Sequence, residues 1–390
     1  MNPSSVQTKN PSVCLVHDWL IAMRGGEKVL EALAELFPGA PIYTLFARRE
    51  NLSRKLQEHK IHTTFLQFIP GICRFYRWLL PLFPLAIRSV NVKKYDVVIS
   101  SSHCVAKAVR AKSDAVHICY CYTPMRYLWG FSEEYFGKFT GFLRHLIGFY
   151  FNFLKKWDVK TAQDVTAFVT SSRYVAERIQ SVYGKTAEII NPPIDVPAEK
   201  IVTTKSQQGL YFLIVSALVP YKRIDIAIEA FNQLKLPLNV VGDGPLRTEL
   251  QKMIRFDQIR LEGWIDQETL WERYSKCKAF IFPTEEDFGI VPIEAQMFGK
   301  PVIAYGKGGI SESVLAYNET GMGRALNQST GLFFYEQSVP ALIEQIKEFE
   351  HIAFDPKFIK AHAERFKLER FQKEITNFMK QFSIPTSFTF

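Results

Sequence analysis

Two glutamates, Glu286 and Glu294, stand eight residues apart in "EEDFGIVPIEAQMFGKPVIAY" (285–305), with Gly289 and Pro292 between them. Proline is accepted in the first turn of a helix and disfavoured deeper in. The spacing therefore predicts a helix starting near Val291, with Glu294 in its first turn and Glu286 on the loop ahead. "AFIFPT" (279–284) reads as a strand feeding that loop. The amides of Gly289, Ile290 and Val291 would then sit at the positive end of a helix dipole, a cradle for phosphate. A carboxylate on each flank can accept hydroxyl hydrogen bonds. Taken alone, the plainer reading is an acid that complements the dipole and a second acid solvated on a loop.

Other residues could serve the same chemistry. Gly25-Gly26 precedes a helical pattern and can bring backbone N–H groups to a diphosphate, although a plain tight turn explains the pair equally well. It is neither a P-loop nor a dinucleotide fingerprint, and Gly242-Asp243-Gly244 lacks the third glycine because position 247 is Arg. Lys222 and Arg223 precede the helical run "IDIAIEAF"; cations there oppose the dipole, which makes a purely solvated role less attractive. His103 follows the strand-like "VVISSS", and His17 lies near the glycine pair; a lone histidine is more often structural. Arg126, in "YTPMRYLW", is equally read as a salt-bridged loop arginine.

The elements that must position these residues alternate regularly. "SVCLVHDWL", "PIYTLF", "YDVVISSS", "AVHICYCYT" and "VTAFVTSS" are short apolar runs, and helical patterns such as "EKVLEALAELF" separate them. "GLYFLIVSALV" restarts the theme, followed by a helix, "LPLNVVGDG", a helix, "IRLEGWI", a helix and "AFIFPT". Alternation of this kind predicts two doubly wound parallel α/β domains, residues 1–197 and 198–365, with a C-terminal helix or tail, 366–390, packing back on the first. The polar stretch 196–209 is the expected linker. Two such domains are expected to hold a ligand in the cleft between them.

Charge divides unevenly. Residues 1–197 carry 25 Lys+Arg against 15 Asp+Glu, the remainder 23 against 24, so the net +9 belongs to the first half. That half should meet something anionic. Two of its segments, 65–90 and 135–157, interleave Phe, Trp, Tyr and Leu with Arg and Lys, as helices lying in a membrane interface do, although core packing accounts for the same pattern. The basic residues are interleaved with aliphatic stretches and not gathered on a polar stripe, which argues against nucleic acid. The six cysteines form no CxxC pair and read as reduced, mostly buried thiols of a cytosolic protein; Cys119 and Cys121 should share one face of a strand. The N-terminus has no apolar signal region, and no run is long enough to span a bilayer.

The glutamate pair, together with "SALVPYKRIDIAIEAF", "VVGDGPLRTEL", "LEGWID", "HDWLIAMRGGEKVLEAL" and "YGKGGISE", resembles the retaining GT-B glycosyltransferases of family 4, whose signature is E-x7-E. The resemblance runs over roughly residues 12–335. It implies a GT-B fold, with two Rossmann-like domains facing each other across a cleft. It assigns Glu294 to the ribose of a nucleotide sugar, and Glu286 to hydroxyls of the donor sugar beside the amides of Phe288, Gly289 and Ile290. Lys222 would neutralise the departing diphosphate with Arg223 beside it. Gly25 and Gly26 would approach the diphosphate, Ile265 the base and His103 the reacting sugar. Arg126 and His17 would lie on the acceptor side. One departure stands out: Ser216-Ala217 replaces the usual Gly-Arg, so the customary phosphate arginine is missing.

No metal and no cofactor are expected, since cations and amides would stand in for Mg²⁺ on the leaving group. The spelling of "GGEKVLEAL", "CYCYTPMRYLW" and "SALVPYKRID" most resembles mannosyltransferases of O-antigen and polysaccharide assembly. The expectation is a retaining transfer of mannose from GDP-mannose to a lipid-linked glycan, by a cytoplasmic protein peripheral to the inner face of the plasma membrane. The alternatives are a UDP-sugar donor, a sugar-nucleotide epimerase on the related fold, or a catalytically silent scaffold subunit.

Overall fold

The computed structural model describes residues 11–130, 141–201, 209–317 and 325–386. Part of the expected linker, the start of the second aromatic-basic segment and the N-terminal decapeptide lie outside them. The chain divides into two compact units, residues 1–193 with 368–390, and residues 194–367.

The first unit is built on seven parallel strands: β1 (Val13–His17), β2 (Ile42–Thr44), β3 (Ile61–Thr63), β4 (Val97–Ser102), β5 (Val116–Cys121), β6 (Ala167–Thr170) and β7 (Ala187–Ile189). Their spatial order, β3-β2-β1-β4-β5-β6-β7, reverses between β1 and β4. In doubly wound sheets, ligands gather at the carboxyl ends of strands at such a reversal. β1 and β4 pair in register from Val13↔Val97 to His17↔Ser101, so His17 and Ser101 end side by side. The second unit repeats the plan with six strands: β8 (Tyr211–Val215), β9 (Leu238–Val241), β10 (Ile259–Gly263), β11 (Cys277–Phe282), β12 (Val302–Tyr305) and β13 (Gly331–Phe334). The order β10-β9-β8-β11-β12-β13 reverses between β8 and β11.

The central strands form because both faces of each sheet are covered there. β4 is buried at all six positions and β9 at all four, which is why they read as continuous apolar runs and not as alternation. The C-terminal helix Leu368–Lys380 buries Phe371, Ile375, Phe378 and Met379 in the same core as Leu30 and Leu33 of the helix Gly25–Leu36. Ile194 and Val196 are buried in the core of the second unit, so the stretch expected as linker begins inside a folded domain. Cys119 and Cys121 share one cluster with Val165 and Phe168, as two thiols on one strand face should.

The two aromatic-basic segments meet in the first unit. Residues 65–90 form short helical turns, and the second segment enters the long helix Gly141–Ala162; the Tyr150 hydroxyl donates to Pro81 O at 3.0 Å. Core packing takes Leu66, Ile72, Leu80, Phe83 and Leu154, but Phe68 (84% exposed), Trp78, Leu85, Phe149 (79% exposed) and Phe153 stay in solvent. Among the described residues no helix is long and apolar enough to cross a membrane.

Candidate functional site

In the second unit the loops leaving β8 and β11 meet at the sheet's reversal. The Thr284 hydroxyl donates to Tyr221 O at 3.0 Å and ties the two loops together. Lys222 Nζ is paired with Glu286 Oε1, and each side chain is 16% exposed. The two charges expected to face a diphosphate and a sugar are therefore next to one another. Glu286 is held from behind: Gly309 N–H donates to its carbonyl at 2.8 Å. A Cβ on Gly308 would lie 2.4 Å from Glu286 O, and one on Gly309 2.2 Å from Asp287 O. Only glycines let the loop after β12 run this close to the glutamate loop, a role that spacing alone does not reveal.

The helix after Glu286 spans Ile290–Met297, with Gly289 as N-cap at φ 91°. It begins one residue earlier than the proline suggests, because a left-handed glycine turns the chain sharply into it. Glu294 is thus the fifth helical residue and sits just beyond the first turn. It is 6% exposed, and its Oε2 accepts from the Tyr274 hydroxyl at 2.9 Å. Pro292 is the third residue, where its missing N–H leaves no intrahelical bond unmade, and the amides of Ile290 and Val291 have no acceptor within the helix. Phe288 is buried against Phe366 at 5.7 Å between ring centroids.

Arg223 caps the helix Ile224–Leu234 from a left-handed conformation, φ 51°. Its guanidinium lies 3.1 Å from Asp225, and it also reaches Gln337, whose amide donates to Pro283 O. The cation that would oppose this helix dipole is thus answered by the acid in its first turn. Ala217 is exposed on the loop after β8. Ile265 is half-buried after β10, beside Trp264, which is 81% exposed.

In the first unit the ends of β1 and β4 hold a different arrangement. Asp18 is fully buried and accepts four backbone N–H bonds, from His103 and Cys104 on Oδ2 and from Val105 and Ala106 on Oδ1, at 2.7–2.9 Å. His103 Nδ1 lies 3.1 Å from Asp18 Oδ2, with its ring edge-on to Trp19. The carboxylate thereby favours the Nδ1–H tautomer and turns Nε2 outward; the His103 side chain is 32% exposed. His17 is buried 6.5 Å away between ring centroids.

Proton directions around His17 follow from the partners. The Tyr122 hydroxyl donates to Gly26 O at 2.7 Å, so it accepts from Ser101 at 2.6 Å, and Ser101 accepts from His17 Nδ1 at 3.0 Å. His17 Nε2 is then an acceptor, buried and without a hydrogen-bond partner among the described residues, 4.0 Å from Glu27 Oε1. Glu27 closes the start of the helix Gly25–Leu36 by accepting from Arg24 N at 3.0 Å. Burial lowers His17 to about 4 and raises Glu27 to about 7. The structure thus groups Gly25, Gly26, His17 and His103, while Arg126 stands on a separate short helix, Arg126–Trp129, beyond β5.

Residues 195–365 match the family described as Glycosyl transferases group 1. The chain has the two-domain fold of GT-B glycosyltransferases: it superposes on Anabaena Alr3699/HepE, solved with UDP and glucose, with a TM-score of 0.67 at 16% identity, over 95% of this chain and 100% of that one. In sequence it resembles O-antigen mannosyltransferases: it is 29% identical to the O-antigen chain mannosyltransferase C of Escherichia coli over 100 residues, 24% of this chain. It is also 29% identical to a GDP-mannose-dependent alpha-(1-6)-phosphatidylinositol monomannoside mannosyltransferase of Mycolicibacterium smegmatis over 180 residues, 39% of this chain. These matches span 27% and 47% of the relatives' own lengths, less than half of each.

Proposed function

We propose that this protein is a retaining mannosyltransferase that moves mannose from GDP-mannose to a lipid-linked glycan. The observation that carries the reading is the Lys222–Glu286 pair beside the start of the helix Ile290–Met297. A diphosphate would take Lys222 and the first helical amides; Glu286, released from its cation, would accept hydroxyls of the sugar, and Glu294 those of the ribose. The sugar C1–O bond to the diphosphate breaks as the bond to the acceptor oxygen forms on the same face. The acceptor proton passes to the leaving phosphate oxygen, and fixed cations and dipoles stabilise the charge developing there. No metal is required in this scheme. The mannosyltransferase relatives support the choice of sugar; the UDP-bound structural neighbour supports a UDP-sugar as the second reading. Ala217 is the one feature that favours a silent scaffold subunit.

Glu286→Ala tests whether the glutamate of this pair acts in transfer. Transfer should fall at least a hundredfold while nucleotide affinity stays within about threefold; unchanged turnover would remove Glu286 from the site.

The reading extends to a bilayer. Phe68, Trp78, Leu85, Phe149 and Phe153 are exposed on segments that also carry the exposed cations Arg74, Arg77 and Lys156. Aromatic side chains with basic neighbours suit an anionic interface, where a lipid-linked acceptor would be found. The protein should float with vesicles of phosphatidylglycerol and phosphatidylcholine, and Trp78→Ser with Phe149→Ser should abolish flotation. Failure of the unmodified protein to float would leave these side chains as ordinary surface.

A further inference from the structure

Tyr274 is a fully buried polar side chain beside the glutamate pair. It lies in the helix Gln267–Lys276, has no exposed surface, and donates its hydroxyl to Glu294 Oε2 at 2.9 Å. Its ring is stacked on Phe298 at 5.6 Å and tilted against Phe280 at 6.1 Å, so the hydroxyl cannot swing away. Burial and the neighbouring carboxylate hold the phenol well above its ordinary pKa, so it remains a donor throughout the working pH range. The carboxyl torsion of a glutamate is otherwise broad and roughly two-fold. A hydrogen bond from an immobile ring anchors one carboxylate oxygen and so restrains the plane of the carboxylate.

From this geometry we infer that Tyr274 is a positioning residue, which holds the Glu294 carboxylate in the orientation that accepts both hydroxyls of the donor's ribose. The inference rests on the proposed role of Glu294. Two vicinal hydroxyls offer two donors in a fixed relation, and only a carboxylate of fixed plane meets both at good angles. The location of Tyr274 couples this to the rest of the nucleotide. Its helix is capped by Asp266, which accepts from Thr269 N at 2.9 Å, and Asp266 follows directly on Trp264 and Ile265 of the loop proposed to face the base. One helix therefore sets the base loop at its start and the ribose carboxylate near its end, about 12 Å apart at 1.5 Å per residue. Tyr274 carries no charge and lies in the polar run "WERYSKCK", where nothing marks it out from its neighbours.

The test compares GDP with 2′,3′-dideoxy-GDP by titration calorimetry, with UDP and its dideoxy analogue run in parallel. The unmodified protein should prefer the ribonucleotide by at least tenfold. Tyr274→Phe keeps the ring and its packing, and circular dichroism should show an intact fold. It should weaken ribonucleotide binding five- to tenfold and leave the dideoxy form within twofold. Equal weakening of both would make Tyr274 a packing residue and overturn the inference; so would no change in either. Glu294→Gln reports on the underlying reading. If it erases the preference while Tyr274→Phe does not touch it, the ribose role stands and this inference fails. If the unmodified protein shows no preference, or Glu294→Gln keeps one, the ribose role fails and takes the inference with it.

Discussion

The two units share a topology and place their polar residues at the same point of it, the ends of the first and fourth strands, yet they solve the electrostatic problem differently. At β1 and β4 the charge is enclosed. Asp18 has no exposed surface and is satisfied by four amides and His103. His17, Ser101 and Tyr122 pass a single chain of hydrogen bonds to the Gly26 carbonyl. At β8 and β11 the charges are partly exposed and answer one another, Lys222 with Glu286 and Arg223 with Asp225. The first arrangement is part of the fold, because each amide it satisfies would otherwise be buried without a partner. The second can be exchanged: a ligand that supplies an anion for Lys222 and hydroxyls for Glu286 replaces the internal pair at little net cost.

The largest expected effect separates the two directly. Asp18→Ala strands four amides and should destabilise the first unit by roughly 3–5 kcal/mol. Hydrogen exchange read separately in the two units should show the loss in the first alone. Lys222→Ala should leave exchange in both units within about 1 kcal/mol of the unmodified protein. Equal losses from the two substitutions would break the comparison.

A smaller effect sharpens it through pH. Glu27 binds its proton more tightly when folded, at about 7 against an ordinary 4.5. Its contribution is therefore complete below about 4.5 and is lost as pH rises through 7, roughly 3 kcal/mol in all. His17 runs the other way: lowered from 6.5 to about 4, it contributes above 6.5 and loses that contribution as pH falls through 4. Glu27→Gln should remove the alkaline loss, so its stability relative to the unmodified protein should rise between pH 5 and 8. Parallel pH profiles would mean that Glu27 titrates as if exposed.

How much of this was legible in the sequence varies with the range of the interaction. The parallel α/β plan is readable because alternating apolar runs are defined locally; Glu286, Glu294, Lys222 and Gly25-Gly26 draw attention through the family resemblance, since spacing alone leaves each with a plainer reading. The strands β3 and β7 are not readable: each has three residues at a sheet edge, too short for any periodicity. The start of the helix at Ile290 escapes because the proline marks only a permitted position, whereas Gly289 sets the turn. Asp18 lies inside the motif "VHDW", where His17 draws attention, but its partners are 85–88 residues away. Tyr274 meets Glu294 across 20 residues, and Gly308-Gly309 matter only because another loop lies against them.

The central claim is that the β8–β11 reversal binds a nucleotide sugar through Lys222. A thermal-shift panel of GDP-mannose, GDP, UDP-glucose and UDP tests it on the unmodified protein and on Lys222→Ala. GDP-mannose at a hundred times its Kd should stabilise the unmodified protein by about 2.7 kcal/mol and raise the melting temperature accordingly, with the shift lost in Lys222→Ala. A shift by none of the four ligands, or an undiminished shift in the variant, would contradict the account.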